Sequence, residues 1–420
     1  MAGNPAAALE LGGSPRPDRS AWAMIGGLLL VMTACHGIIS AGLPALDTAI
    51  LADLHIARAA LKLRETIFLL SAGVCGLLVG LLTTRVRPAH IVLGGLLLLS
   101  ATLTAYGHAR SIGVIYALYA VLGLCFASSH VVIVVLMVRA RFAALRTLAT
   151  AIALSGTSIG AAIFPGLTVL ALEHADWRSV LRFAALVPLA LVPLAALLLR
   201  APREAAREEP LCEPSRPPRT GALTGALGHL SRPRLALGLL LLATFGTFFA
   251  STAFLLNLFL YLQDIGLDAM KAALGMSLVF VTGLVGKVLV GAAAERWGVN
   301  RVWNSQQMLL LAGALLLSLG GAPLALVGLV LLGAGWAGCY VLTQVVIANS
   351  FAGPSLGEMT GAFIVFEAIS SGLGVWFAGK GYDLFGSYRP GFLVCCALIA
   401  LAALAAWLFR RLVEAGHPDR

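Results

Sequence analysis

A chain of 420 residues that is 60% apolar and 11% charged, with mean hydropathy +0.94, lies far from soluble domains, in which about a quarter of residues are charged. Repeated apolar runs of bilayer length make it a polytopic membrane protein, all-α because each span must close its own backbone hydrogen bonds. The net charge of +10 gathers at the ends of those runs. No basic stripe with interleaved aromatics accompanies it, which excludes nucleic acid and leaves the lipid bilayer as the extended partner.

In chain order, a tail over 1–20 carries Arg16 and Arg19 and precedes the first run, Ala21 to Leu43. That run is too long for the apolar core of a secretory signal, so it is expected to stay as the first helix. Five more runs follow, at Thr66 to Leu82, His90 to Ala105, Gly113 to Val138, Leu148 to Leu172 and Val180 to Leu199. Residues 201–233 are rich in Pro, Arg and Glu and have no apolar face, the pattern of a linker. Six runs then complete the chain: Leu235 to Leu262, Ala272 to Ala294, Val302 to Leu319, Leu324 to Ala348, Met359 to Phe377 and Phe392 to Leu408. The expected organisation is a six-helix bundle over 21–200, a second over 234–412, and a tail over 413–420.

An even number of spans returns both termini to one side. More of the 29 basic residues fall on the side of the termini and linker, with RARFAALR after the fourth run and ERWGVNR after the eighth. The positive-inside rule then makes the termini cytoplasmic, in a bacterial-type inner membrane. Arg58, Lys62 and Arg64 count on this reading as loop charges of the opposite side. All seven cysteines but Cys212 lie in apolar runs without metal-like spacing, so no metal or cofactor is expected.

After the eighth run, Gly291 to Arg301 reads GAAAERWGVNR, and a degraded copy, GLLTTRVRPAH from Gly80, stands half a chain earlier. This points to duplicated halves. Gly291 and Gly298 suit close helix ends, and Arg296 beside Glu295, like Arg85 in the first copy, can face a helix C-terminus. The pattern G-x-x-x-[DE]-R-x-G-x-x-[KR] resembles the signature between helices 2 and 3, and 8 and 9, of the major facilitator superfamily. That resemblance implies twelve helices in two pseudo-repeat bundles, rocking about a midplane site, in a functional monomer. Two further stretches, with SGTSIG (Gly156, Gly160) and with Tyr382, Asp383, Gly386 and Tyr388, are similar to the monocarboxylate porter and oxalate/formate antiporter group. Gly156 and Gly160 form a small-xxx-small face, a packing surface or a sliding gate, and Pro165 interrupts the same run. Trp177 and Arg178 read as anchors at the outer membrane interface.

Lys287, in VTGLVGKVLVG, is the sharpest site signal. An ammonium inside a span costs several kcal/mol unless it meets water, a partner or an anion, so it faces a cavity or else snorkels to the interface. In the porter group this region carries an arginine that meets the substrate carboxylate, although the aspartate usual four residues earlier is Gly283 here. Glu367, in AFIVFEAISSGLG, reads as the only acid deep in a run. It is a candidate to carry a coupling proton, to pair with Lys287, or simply to hydrogen-bond a neighbouring helix. His36 and His130 stand mid-span, as substrate or proton groups or as helix-to-helix bonds. Tyr340, Thr343 and Gln344 share one helical face, and Asn257 adds a polar group on the seventh run; each can line a cavity or join helices.

The expected function is secondary transport of a small organic anion, a mono- or dicarboxylate, by alternating access with proton coupling or exchange. The alternative is proton-coupled efflux of an amphipathic drug or metabolite. An enzyme or sensor finds no nucleophile set, and no G-x-x-x-x-G-K-[ST] loop supplies ATP chemistry.

Overall fold

The computed structural model describes residues 19–142, 145–199, 232–351 and 355–415. Residues 201–231 of the linker expected over 201–233, most of both tails, and Cys212 fall outside the described residues; Pro233, expected as the linker's last residue, already opens a helix. Twelve helices are long and apolar enough to cross a membrane. They are α1 (Arg19–Leu54), α2 (Arg58–Leu82), α3 (Pro88–Tyr106), α4 (Ile112–Arg139), α5 (Leu148–Leu172) and α6 (Trp177–Leu198), then α7 (Pro233–Asp264), α8 (Ala269–Trp297), α9 (Val299–Gly320), α10 (Pro323–Ser350), α11 (Met359–Phe385) and α12 (Arg389–Ala415). Among the described residues there is no strand.

Packing follows the sequence repeat. In the first half α1 lies on α5 and α6, and α2 on α4; in the second, α7 lies on α11 and α12, and α8 on the α9/α10 hairpin. The halves meet along two pairs, α2 with α11 and α5 with α8. Shifting the chain by half its length turns one pair into the other, as a pseudo-twofold arrangement requires. Below, the terminal face is the one bearing the chain ends, and the distal face is its opposite.

Two helices are irregular where the site will prove to lie. α1 is α-helical over Arg19–His36, widens to a π-helix over Gly37–Gly42, tightens to a 3-10 turn at Pro44–Leu46 and ends as an α-helix over Asp47–Leu54. Pro44 has no N–H and crowds the carbonyl four residues back, and just before it Leu43 reaches back to Ile38 O instead. α4 is α-helical over Ile112–Ala127 and again over Val131–Arg139. At the break Ser128 and Ser129 donate to Cys125 O, hydroxyls competing with the backbone for a helical carbonyl. Gly95 makes room, since a Cβ there would sit 1.9 Å from Ser128 Oγ.

Several expectations need correction. α1 does not stop at Leu43, and α2 begins at Arg58, so Asp47, Lys62, Arg64 and Glu65 belong to helices and are buried. They were read as a loop because the apolar run ends there; the helices continue because the charges neutralise one another across them. Glu367 is therefore not the only acid deep in a span. Pro165 does not interrupt α5, which runs through it. Trp177 is buried against Tyr106, with ring centroids 5.9 Å apart, rather than anchored at a lipid interface. Arg178 pairs with Asp53 at 2.8 Å, tying α6 to the end of α1.

Outside the spans, local chemistry starts two helices. Asp176 accepts from Ser179 N ahead of α6, and Asp268 accepts from Lys271 N ahead of α8. The Ser179 hydroxyl holds the Asp176 carboxyl below its ordinary range, and Lys271 does the same for Asp268.

Candidate functional site

His36 closes the α-helical part of α1 immediately before the π segment, and His130 follows the break in α4. π segments and unwound turns inside helices leave backbone groups free of the regular ladder, and they recur at functional sites. Here they place two imidazoles together: the rings stack with centroids 5.2 Å apart and 22° between planes. Phe126 contacts both, at 4.2 Å from His36 and 4.8 Å from His130, and Phe68 of α2 meets Phe126 edge-on at 5.2 Å. His36 is buried, yet its Nε2 has no hydrogen-bond partner.

The second half supplies Lys287, on α8, which packs against α5 of the first half. The ammonium is half-buried and lies 5.8 Å from the centre of the Trp336 ring. Among the described residues it forms no ion pair. Close to the same half's centre, Gln344 donates to both carboxylate oxygens of Glu367, at 2.7 and 2.9 Å. Tyr340 stands beside Glu367 and against Phe248, ring centroids 6.0 Å apart. The structure thus brings His36 to His130, and Tyr340 and Gln344 to Glu367. It does not pair Glu367 with Lys287.

Asn257 lies apart from these groups. It is fully buried, donates to Ala253 O and Val375 O, and accepts from the Tyr388 hydroxyl, so its amide is committed to joining α7 to α11 and to the turn before α12. Thr343 likewise accepts from Trp303 Nε1 within the α9/α10 hairpin.

Gly156 and Gly160 pack inside the first half. A Cβ on Gly160 would meet Thr33 O at 2.1 Å and Gly37 at 2.9 Å, and one on Gly156 would meet Leu29 O at 2.5 Å. They seat α5 backbone to backbone on α1, directly at the turn that carries His36. Gly298 has a φ of +88°, a conformation that favours glycine, whereas Gly291 has nothing within 4 Å of an added Cβ. Arg85, Glu295 and Arg296 are exposed on the terminal face, with Arg296 lying over the Trp297 ring at 5.8 Å.

The sequence reading missed the charges buried in the distal half of the first bundle. Asp47 accepts from both Lys62 and Arg64, Arg64 also donates to the Tyr106 hydroxyl at 2.9 Å, and Glu65 lies 3.3 Å from Arg64. Lys62 additionally donates to Leu256 O of α7, across the interface between the halves. The available signal was opposite charge at matched helical ends: Asp47 shortly after one run, and Lys62, Arg64 and Glu65 shortly before the next.

A model of the Major Facilitator Superfamily matches residues 28–374, most of this architecture. The chain belongs to the major facilitator superfamily. As a member of that superfamily it is a multi-pass membrane transporter that handles small molecules. No curated protein sequence matches it. Among solved structures it is similar to the nucleoside transporter NupG, with TM-score 0.71 and 14% identity over 94% of this chain and 100% of that one. A bacterial homolog of the human lysosomal transporter Spinster, in an inward-facing and occupied conformation, gives TM-score 0.72 at 14% identity over 95% of this chain and 98% of that one. The human organic anion transporter TETRAN gives 0.63 at 18% over 94% and 100%. These identities carry the fold alone.

Proposed function

We propose that this facilitator carries a small organic anion, a mono- or dicarboxylate, across the cytoplasmic membrane by alternating access, driven by a proton gradient or by exchange, with both termini cytoplasmic and the monomer as the working unit. The observation behind this reading is Lys287 without an ion-pair partner among the described residues, on α8, the helix packed against α5, which itself seats on the turn of α1 that carries His36, stacked on His130. A cation inside a span needs compensation, and a carboxylate supplies it while accepting hydrogen bonds from ring N–H groups. Phe126, Phe68 and Trp336 give an apolar wall suited to a short organic body. Structures similar to this one include a nucleoside transporter and a fucose:proton symporter, so the fold does not choose the cargo, and the choice made here rests on the cation.

The decisive experiment is a proteoliposome panel of radiolabelled carboxylates at two pH values, with and without an imposed pH gradient. Lys287→Met is expected to lower uptake at least about tenfold, the worth of one charge-assisted contact, while membrane insertion is unchanged. Full uptake by that variant sinks the anion assignment. Efflux of an amphipathic drug or metabolite is the second reading, favoured by Glu367 bonded to Gln344, one turn from a Tyr340 that packs on Phe248. A resistance phenotype lost on deletion, and lost again with Glu367→Gln, would favour it over anion transport.

A further inference from the structure

The Tyr382, Asp383, Gly386, Tyr388 pattern, left without a role by the sequence, is explained by what it touches. α2 starts at Arg58 with Ala57 ahead of it, a residue that offers no side-chain acceptor to the first N–H groups. Those groups are nevertheless satisfied: Arg58 N donates to Asp383 Oδ1 at 2.9 Å and Ala59 N to Asp383 Oδ2 at 2.8 Å. A helix cap is ordinarily local in sequence. This one comes from the other half of the molecule.

The rest of the pattern completes the seat. The Arg58 guanidinium lies 3.5 Å from the centre of the Tyr382 ring and 5.2 Å from that of Tyr388, and its fork engages both oxygens of Asp264, at the end of α7, at 2.5 and 2.9 Å. Gly386, with a φ of +66°, turns the chain so that Tyr388 comes back to Asn257. Gly379 lets α11 lie against α2, since a Cβ there would be 3.2 Å from Arg58 O. Thr48 of α1 donates to Gln263 Oε1 at 2.5 Å beside it.

We infer that this pattern is a receptor for the first turn of α2 that seals the distal face, and that its release is the step that opens that face. Burial separates what must part from what stays. Arg58 and Asp264, which span the halves, retain 17% and 29% of their side-chain exposure, so water can replace each when they separate. The pairs Asp47 with Lys62 and Asp47 with Arg64 are fully buried and lie wholly inside the first half, where rocking leaves them intact. Within this buried group, Lys62 also reaches the second half, through Leu256 O. The inference rests on alternating access and not on the identity of the cargo.

The test therefore reads conformation with no substrate present. Thr48→Cys with Gln263→Cys reports distal closure by oxidative cross-linking, and Thr66→Cys, whose native hydroxyl donates to Gly372 O across the same seam, reports opening by labelling with an impermeant maleimide from the distal side. Adding Asp383→Ala is expected to slow the cross-link about tenfold and to raise the labelling by a similar factor, the effect of losing a charge-assisted cap. Asp53→Cys with Arg178→Cys, inside the first half, is the folding control and keeps its rate. Unchanged cross-linking and labelling with that control intact would overturn the receptor role. Should the control fail, Asp383→Asn, equal in size and still able to accept one bond, decides by the same two readouts.

Discussion

An imidazole nitrogen sealed away from every partner is a cost that packed interiors avoid, and His36 Nε2 carries it. In a transport site a visiting group can satisfy such an atom. His36→Leu, filling much the same volume without the orphan nitrogen, is accordingly expected to raise thermal stability in detergent by about 1 kcal/mol while depressing transport. A fall in both would mean that His36 is structural. The opposite balance is expected at Asp47, which alone accepts from two fully buried cations. Asp47→Asn leaves Lys62 and Arg64 short of a counter-charge and should cost about 3–5 kcal/mol, read as a lower melting temperature and poor recovery from the membrane. Equal stability there would mean that Glu65 suffices.

At the scale of helices, the glycines separate into those that set a close approach and those that do not. Gly160→Ala drives a methyl into Thr33 O and Gly37, backbone that cannot give, and should destabilise by about 1–3 kcal/mol and displace the turn holding His36. Gly291→Ala meets nothing and gains helix propensity, so a stability change within about 1 kcal/mol, neutral or favourable, is expected. Melting curves of the two variants side by side check the contrast. The same division explains what could be read from the chain before its structure. Twelve spans were legible because a bilayer demands uninterrupted apolar length, and Lys287 and Glu367 stood out because each breaks such a run. The continuation of α1 to Leu54 and the start of α2 at Arg58 were not legible, because Asp47, Lys62, Arg64 and Glu65 look like a loop until tertiary contacts neutralise them. The π segment and the break at Ser128 depend on where Pro44 and the serine hydroxyls direct local hydrogen bonds, which hydropathy does not record.

For the molecule as a whole, the seam is unevenly fastened. On the distal face Arg58, Lys62 and Thr48 of the first half all engage α7 or α11, whereas on the terminal face Arg85, Glu295 and Arg296 are exposed and form no ion pair among the described residues. Most of the buried residues divide between the halves, around Leu99 and Tyr119 in the first and around Phe254 and Trp303 in the second, with Ala45 and Val169 of the first half packed into the Phe254 cluster. Turning the halves as units therefore has to part only this seam. A carrier of this kind must undo the distal fastening once in every cycle. Cross-linking Thr48→Cys to Gln263→Cys should therefore stop net transport and exchange alike, and a reductant should restore both, while either single variant transports normally. A channel-like or purely gated path through one half would keep conducting with the bridge in place, so transport persisting in a fully cross-linked preparation would exclude rigid-body rocking for this chain.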